Sequence, residues 1–223
     1  MTDFQRARRP EQIAARRAQI LAAARSTLGV HPLGQASLRE IAERAGVAKS
    51  AVLRYFPTRE MVFLELLFAE WSDWLDELEG RMPGPGLSGD SGFAGLLAAS
   101  LDRRPLLCEL LAHLDAVLRR NVPAGLEPEV DARVAERGAR LAALVRRSFP
   151  AMHGTPASGF ATMTVVLLAG LWPAMRAADA PASALQDGLF LEGLTGQLRG
   201  ALSPAVAPLV QPWTPPPLQF PRG

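Results

Sequence analysis

The chain has a single cysteine, Cys108, so no internal disulfide framework can staple it, and a reducing cytoplasm is the setting this implies. It has one tyrosine and few alternating apolar and polar runs, which removes the usual signals for strands. It has three histidines, His31, His113 and His153, with no glycine-rich phosphate loop and no nucleophile elbow around them. Glu109 and His113 stand four residues apart, a helical spacing that can share a metal. Cys108 and Asp115 fall on other faces of the same segment, so no ligand set is completed, and neither catalysis, a metal nor a cofactor is expected. Charge is missing over one long run, residues 157–175, roughly the length that spans a bilayer. That run carries Ser158, Gly159, Thr162, Thr164 and Gly170, with Pro173 near its end, and is read as a helix buried in a protein interface rather than a membrane span. The first residues are basic without an apolar run after them, so no signal-peptide pattern is present.

What is present is Ala, Leu, Arg and Glu in abundance, and 48% hydrophobic content over 223 residues, enough for one sizeable core or two small ones. The class expected is all-α. The net charge of +2 conceals a division. Residues 1–60 hold 11 basic and 5 acidic residues, a net of +6, and residues 61–223 hold 13 and 17, a net of −4. Such a division suits a first unit that meets a polyanion and a second that does not.

The stretch over residues 37–60, SLREIAERAGVAKSAVLRYFPTRE, carries the most information. Ser37 and Glu40 have capping-box spacing. Leu38, Ile41, Ala42 and Ala45 then fall on one face at helical spacing. Gly46 supplies a turn, and Val47, Val52 and Phe56 give a second helix its apolar seam. Pro57 closes that helix, because the residue before a proline is pushed out of helical geometry. Outward on it remain Lys49, Ser50, Leu53, Arg54 and Tyr55. A short helix with a buried back and a basic, hydroxyl-bearing front suits the DNA major groove. The only lysine and the only tyrosine of the chain both lie on that front. One lysine has to fall somewhere, so the coincidence is support rather than proof.

Helical patterns are expected over residues 11–28, on either side of Gly46, and over 58–79, 93–101, 105–120, 128–148, 158–176 and 183–202, about nine helices in all. Ile13, Arg17, Ile20, Leu21, Ala24 and Leu28 form the inward stripe of the first, and Thr58 caps the fourth. Residues 1–10 are expected to be a disordered basic arm with Arg6, Arg8 and Arg9. The last 20 residues hold seven prolines and form an extended tail.

A long first helix, the helix–turn–helix, Tyr55-Phe56-Pro57 and a long following helix together resemble the TetR family of bacterial transcription regulators. The resemblance covers residues 13–67 and rests on Ser37-x-Arg39-Glu40-Ile41-Ala42, Ala45-Gly46-Val47 and Arg59-Glu60. Beyond it the likeness is architectural, although residues 104–123 and 167–175 look like the C-terminal domain of one subgroup. The resemblance implies a helix–turn–helix DNA-binding domain over 1–66, a helical effector-binding and dimerisation domain over 67–203, and a tail over 204–223. It implies that Ser37, Arg39, Lys49, Tyr55 and Arg59 hold backbone phosphates of a double-stranded operator. Ser50, Ala51, Leu53 and Arg54 would face base edges, Arg54 being the best candidate for guanine. Two departures stand out: Ala48 where the family usually has a hydroxyl, and Leu53 where an aromatic is frequent.

The resemblance also implies a homodimer through the last two helices, over 158–176 and 183–202, where the uncharged run finds its place. Two-fold symmetry doubles the DNA site that one short helix can read. Trp71, Trp74, Phe93, His113, Phe160, Met163 and Trp172 are the candidates to line an effector cavity, although a Trp or Met at helical spacing is more often ordinary core. The sparse charge inside this domain points to an apolar or amphipathic small molecule. The expected function is a dimeric repressor released from its operator by such a ligand. The competing reading is a helical interaction protein whose first motif contacts protein instead of DNA.

Overall fold

The computed structural model describes residues 3–81, 90–148 and 155–179. The expected helix over 183–202, the proline-rich tail and the side chain of Phe93 lie outside the described residues. Within them the protein is all-helical, and no strand occurs.

A small unit comes first. α1 (Asp3–Leu28), α2 (Leu38–Arg44) and α3 (Lys49–Leu53) pack on one another and on the start of α4 (Arg59–Arg81). Ile20, Ala24 and Leu28 of α1 are buried with Ile41, Val52 and Phe56, while Ile13, expected on the inward stripe, is 48% exposed. α1 begins at Asp3, so the arm expected over 1–10 is helical from that residue, and Pro10 sits inside the helix. The α1 segment after Pro10 is rich in Ala, Arg and Gln, all good helix formers, and the helix runs on through Pro10, whose missing N–H costs the preceding turn one hydrogen bond.

α4 belongs to two units. Its first turn is capped by Thr58, whose Oγ1 accepts from the Met61 N–H at 3.2 Å. Its second half buries Trp71, Trp74, Leu75 and Leu78. Around that half lie α5 (Asp90–Asp102), α6 (Pro105–Ala112), α7 (Glu127–Ser148) and α8 (Thr155–Asp179), with α8 against both α6 and α7.

One continuous helix was expected over 105–120, and the structure breaks it. α6 stops at Ala112, a π turn spans Leu114–Leu118, and a 3-10 turn spans Arg119–Asn121. The cause is local. His113 Nδ1–H donates to the Glu109 carbonyl at 2.8 Å, occupying the acceptor that an α-helix assigns to the His113 backbone N–H. That N–H turns to the Leu110 carbonyl at 3.2 Å instead. The Leu118 N–H then reaches the His113 carbonyl, five residues back, at 3.0 Å, which is the π spacing.

Candidate functional site

The reading motif is set by three local devices. Ser37 Oγ accepts from the Glu40 N–H at 3.1 Å and so opens α2. Gly46 has φ +64°, a left-handed conformation that glycine adopts without strain, and this turns the chain between the two helices. α3 is shorter than the expected pattern. The Val52 carbonyl accepts from both Tyr55 and Phe56, at 2.9 and 3.0 Å, which tightens the chain into a final turn ahead of Pro57. Ala48 occupies the N-cap with no side-chain cap, as its methyl dictates.

Leu38, Ile41, Ala42, Ala45, Val52 and Phe56 are buried behind the motif. Lys49, Ser50, Leu53 and Arg54 are exposed in front of it, as is Ser37 at the head of α2. Ala51 and Tyr55 are half-buried, and Tyr55 packs against the core.

The charges of the motif divide sharply. Arg39 pairs with Glu43 at 2.8 Å across one helical turn, fully in solvent. Arg44 binds Glu40 at 3.1 Å and the Ser26 carbonyl at 3.3 Å. Arg59 donates to the Ala36 carbonyl at 2.9 Å and to Glu60 at 2.8 Å, and lies over the Phe63 ring. Lys49 and Arg54 have no ion-pair or hydrogen-bond partner among the described residues. The front of α3 therefore presents two uncompensated cations.

Behind α3, Arg17 of α1 donates to the Tyr55 carbonyl at 3.0 Å and stacks 4.4 Å from the Phe56 centroid. Its other nitrogen lies 3.5 Å from Glu65 of α4. Glu65 also receives both arms of Arg133 of α7, at 2.5 and 3.1 Å. Arg133 and Arg137 stack on Phe68. A chain of charge-assisted contacts thus runs from the end of the reading helix through α1 and α4 to α7.

A second tie joins the two units. Glu109 of α6 is buried; one carboxylate oxygen accepts from Trp172 Nε1 of α8 at 2.8 Å and the other from the Leu33 backbone N–H at 3.4 Å. Leu33 lies between α1 and α2. Among the described residues no group of three or more His, Cys, Asp or Glu side chains gathers to hold a metal.

The larger unit contains an open cavity of about 420 Å³ between the π turn, α7 and α8. Its walls are Leu114, Val134, Ala161, Val165, Val166 and small residues of α7, with Trp71 contributed by α4. Polar groups reach it from Asp115, Arg119, Ser158 and Thr162. Of the aromatic and sulfur candidates named from sequence, Trp71 is on this wall. Trp74 is buried elsewhere and donates to Ser100 Oγ at 2.8 Å. Trp172 is spent on Glu109, Phe160 is buried, His113 is half-buried at the helix break, and Met163 is 42% exposed. The signal that was passed over is smallness: Ala135, Gly138 and Ala139 interrupt a helix otherwise full of Arg and Glu, and they leave the room.

A basic helix–turn–helix unit joined through one shared helix to a larger helical unit with a cavity is the architecture of a one-component transcription regulator. The profile of the family described as "Bacterial regulatory proteins, tetR family" matches residues 20–66, and that described as "Tetracyclin repressor-like, C-terminal domain" matches residues 68–211. The chain belongs to the TetR family of bacterial transcription regulators. Among solved structures it resembles the transcriptional regulator FadR from Bacillus subtilis, in complex with stearoyl-CoA, at 16% identity and a TM-score of 0.53 over 83% of this chain and 97% of that one. It also resembles the fatty acid degradation regulator FadR from Bacillus halodurans, at 17% identity and a TM-score of 0.50 over 83% and 98%. At these identities the likeness is one of fold. A comparison with curated proteins found no match. No described helix is long and apolar enough to cross a membrane.

Proposed function

We propose that this chain binds operator DNA as a homodimer, one α3 in each of two successive major grooves, and is released when a small molecule occupies the cavity between α7 and α8. The observation that carries the DNA reading is the pairing of the motif's charges. Within residues 37–60 every arginine except Arg54 is tied to a carboxylate or carbonyl, and Lys49 and Arg54 are left facing outward from one short helix. Two cations held at the rim of a groove-sized helix gain from phosphate and guanine contacts what solvent otherwise supplies.

The release mechanism follows from shared parts. α4 starts beside the reading helix and carries Trp71, midway along it, to the cavity wall. Arg133 stands next to Val134 of that wall and holds Glu65, which Arg17 links to the end of the reading motif. A ligand that prefers one setting of α4 and α7 therefore biases the spacing of the two α3 helices. A differential affinity of about 1–3 kcal/mol is the usual size of such coupling.

A gel shift with the DNA upstream of the protein's own gene tests the proposal. Wild type should give a discrete, salt-sensitive complex, and the double variant Lys49→Ala with Arg54→Ala should give none while melting normally. A double variant that binds as well as wild type would place the DNA contact elsewhere.

A further inference from the structure

The front of α3 carries one side chain that its charges do not explain. Leu38, Ile41, Val52 and Phe56 of the two-helix motif are buried, and Val47 and Tyr55 pack against the same core, but Leu53 is 42% exposed. A single leucine on an ordinary surface needs no explanation. This one lies on the face that holds the two unpartnered cations, with Lys49 one turn before it and Arg54 directly after it.

Helix geometry fixes the order of side chains across that face. At about 100° per residue, Lys49 and Arg54 stand roughly 140° apart, and Leu53 and Ser50 fall between them. Arg54 keeps a helical backbone, at φ −73° and ψ −23°, so the spacing holds through it. The two cations therefore border an apolar centre with one hydroxyl beside it. Polyanionic DNA complements the border. The centre meets the floor of the groove, and a leucine has no hydrogen-bonding group to offer there. Against a guanine, adenine or cytosine edge it would cover donors or acceptors and replace none of their lost hydration. Thymine differs, because its major-groove edge presents a C5-methyl group.

Resting on the reading of α3 as the groove helix, we propose that Leu53 is a specificity-determining residue that reads the C5-methyl group of a pyrimidine, so that each half-site of the operator holds a thymine beneath it. The contact is made to the methyl group and not to the pairing edge, so 5-methylcytosine satisfies what cytosine leaves empty. Adjacent Cα atoms lie about 3.8 Å apart and stacked bases about 3.4 Å, which puts this thymine within about two base pairs of the position set by Arg54.

The test needs DNA that differs by the methyl group alone. An operator is first selected from a randomised duplex pool with the full chain, and each thymine of one half-site is then replaced in turn by deoxyuridine. One thymine, within about two base pairs of the position that Arg54→Ala relaxes, should lose about fourfold in affinity when so replaced, the size of one buried methyl group. Replacing it in both half-sites should cost about fifteenfold. With cytosine placed at this position, C5 methylation should raise affinity by about the same factor per half-site. In Leu53→Ala these differences should vanish while the protein melts close to wild type, and Leu53→Met, which keeps an apolar tip, should retain them. Deoxyuridine tolerated at every thymine, a penalty that persists in Leu53→Ala, or a sensitive thymine far from the Arg54 position would overturn the assignment. A Leu53→Ala chain that melts well below wild type would overturn it too, by making Leu53 a packing residue. These outcomes leave the DNA reading standing. A pool from which the wild-type chain enriches nothing overturns that reading, and the inference with it.

Discussion

At the scale of residues, arginines that look equivalent in the sequence have different employment. Lys49 and Arg54 face outward without partners, whereas Arg59, two residues after Pro57, is turned inward onto the Ala36 carbonyl and Glu60. Substituting each should therefore fail differently. Lys49→Ala should weaken binding to all DNA sequences alike and lower the salt dependence by about one charge. Arg54→Ala should relax preference at one base position per half-site, at about 1–3 kcal/mol. Arg59→Ala should instead lower the melting temperature, through loss of a half-buried hydrogen-bonded guanidinium worth about 1–3 kcal/mol, and weaken DNA binding as a consequence. Binding selections with randomised operators, set beside melting curves, separate the three. Cys108 makes a simpler case. It is fully buried, and burial first of all, then Asp102 and Glu109, push its thiol far above the ordinary range. A disulfide reagent should leave the native protein unlabelled and react within seconds once denaturant is added; rapid native labelling would contradict the buried placement.

At the scale of elements, apolar periodicity located every described helix but could not see where hydrogen bonds are diverted. The two-helix motif was legible because capping, a left-handed glycine and a closing proline act locally, and each leaves its residue type at a fixed position. The break after α6 was not, because it depends on one imidazole taking one carbonyl, and the sequence LLAHLDAVL reads as an unbroken helix. The cavity was half legible: Trp71 stood out by size, whereas the room around it is made by Gly138 and its neighbours, which leave no apolar signal. The ties between elements are likewise invisible until the chain is folded, and their chemistry can be tested. Glu77 of α4 receives Arg103 at 2.5 Å, Arg104 at 2.9 Å and Arg81 at 3.1 Å, fixing the α5–α6 corner on α4. Partial burial pushes its carboxyl up, but the hydrogen bonds and charges of Arg103 and Arg104 outweigh this, and its pKa in the folded protein is lowered. A lowered folded pKa gives stability that is present above the unfolded value, about 4.3, and is lost as pH falls through the folded one. Glu77→Gln should accordingly be less stable than wild type at pH 7 and should lose less stability between pH 5 and about 3. Parallel acid limbs in the two melting profiles would show that Glu77 contributes nothing through its charge.

At the scale of the whole molecule, the question is which side of α8 faces inward. Composition alone marks the helix as uncharged and therefore buried somewhere, and Leu167 and Leu168 are its most apolar pair. The fold assigns them inward: Leu168 is fully buried within its own chain and Leu167 is half-buried. The other side carries Gly159, Met163, Gly170 and Pro173, all exposed, with Met163 at 42%, and Thr162 and Val166 stand where this side meets the mouth of the cavity. That stripe has small residues where a second helix can approach and apolar ones where it can seat. Its occupant in the proposed regulator is a second copy of this chain, since an operator read by one short α3 offers too few base contacts and a two-fold axis doubles them. Two substitutions of the same chemistry separate the inner side from the outer. Leu168→Asp buries an unpaired carboxylate in the fold and should unfold the protein or bring its melting temperature down steeply. Met163→Asp sets that charge on the outer stripe, away from the cavity, where a monomer can hydrate it but a symmetric interface would bring two copies together. It should leave the helical circular dichroism spectrum intact, convert the sedimenting species from dimer to monomer at micromolar concentration, and abolish the discrete DNA complex. A Met163→Asp chain that still sediments as a dimer would move the symmetry axis off this face of α8, and a wild-type chain that sediments as a monomer would remove the two-fold reading of DNA altogether.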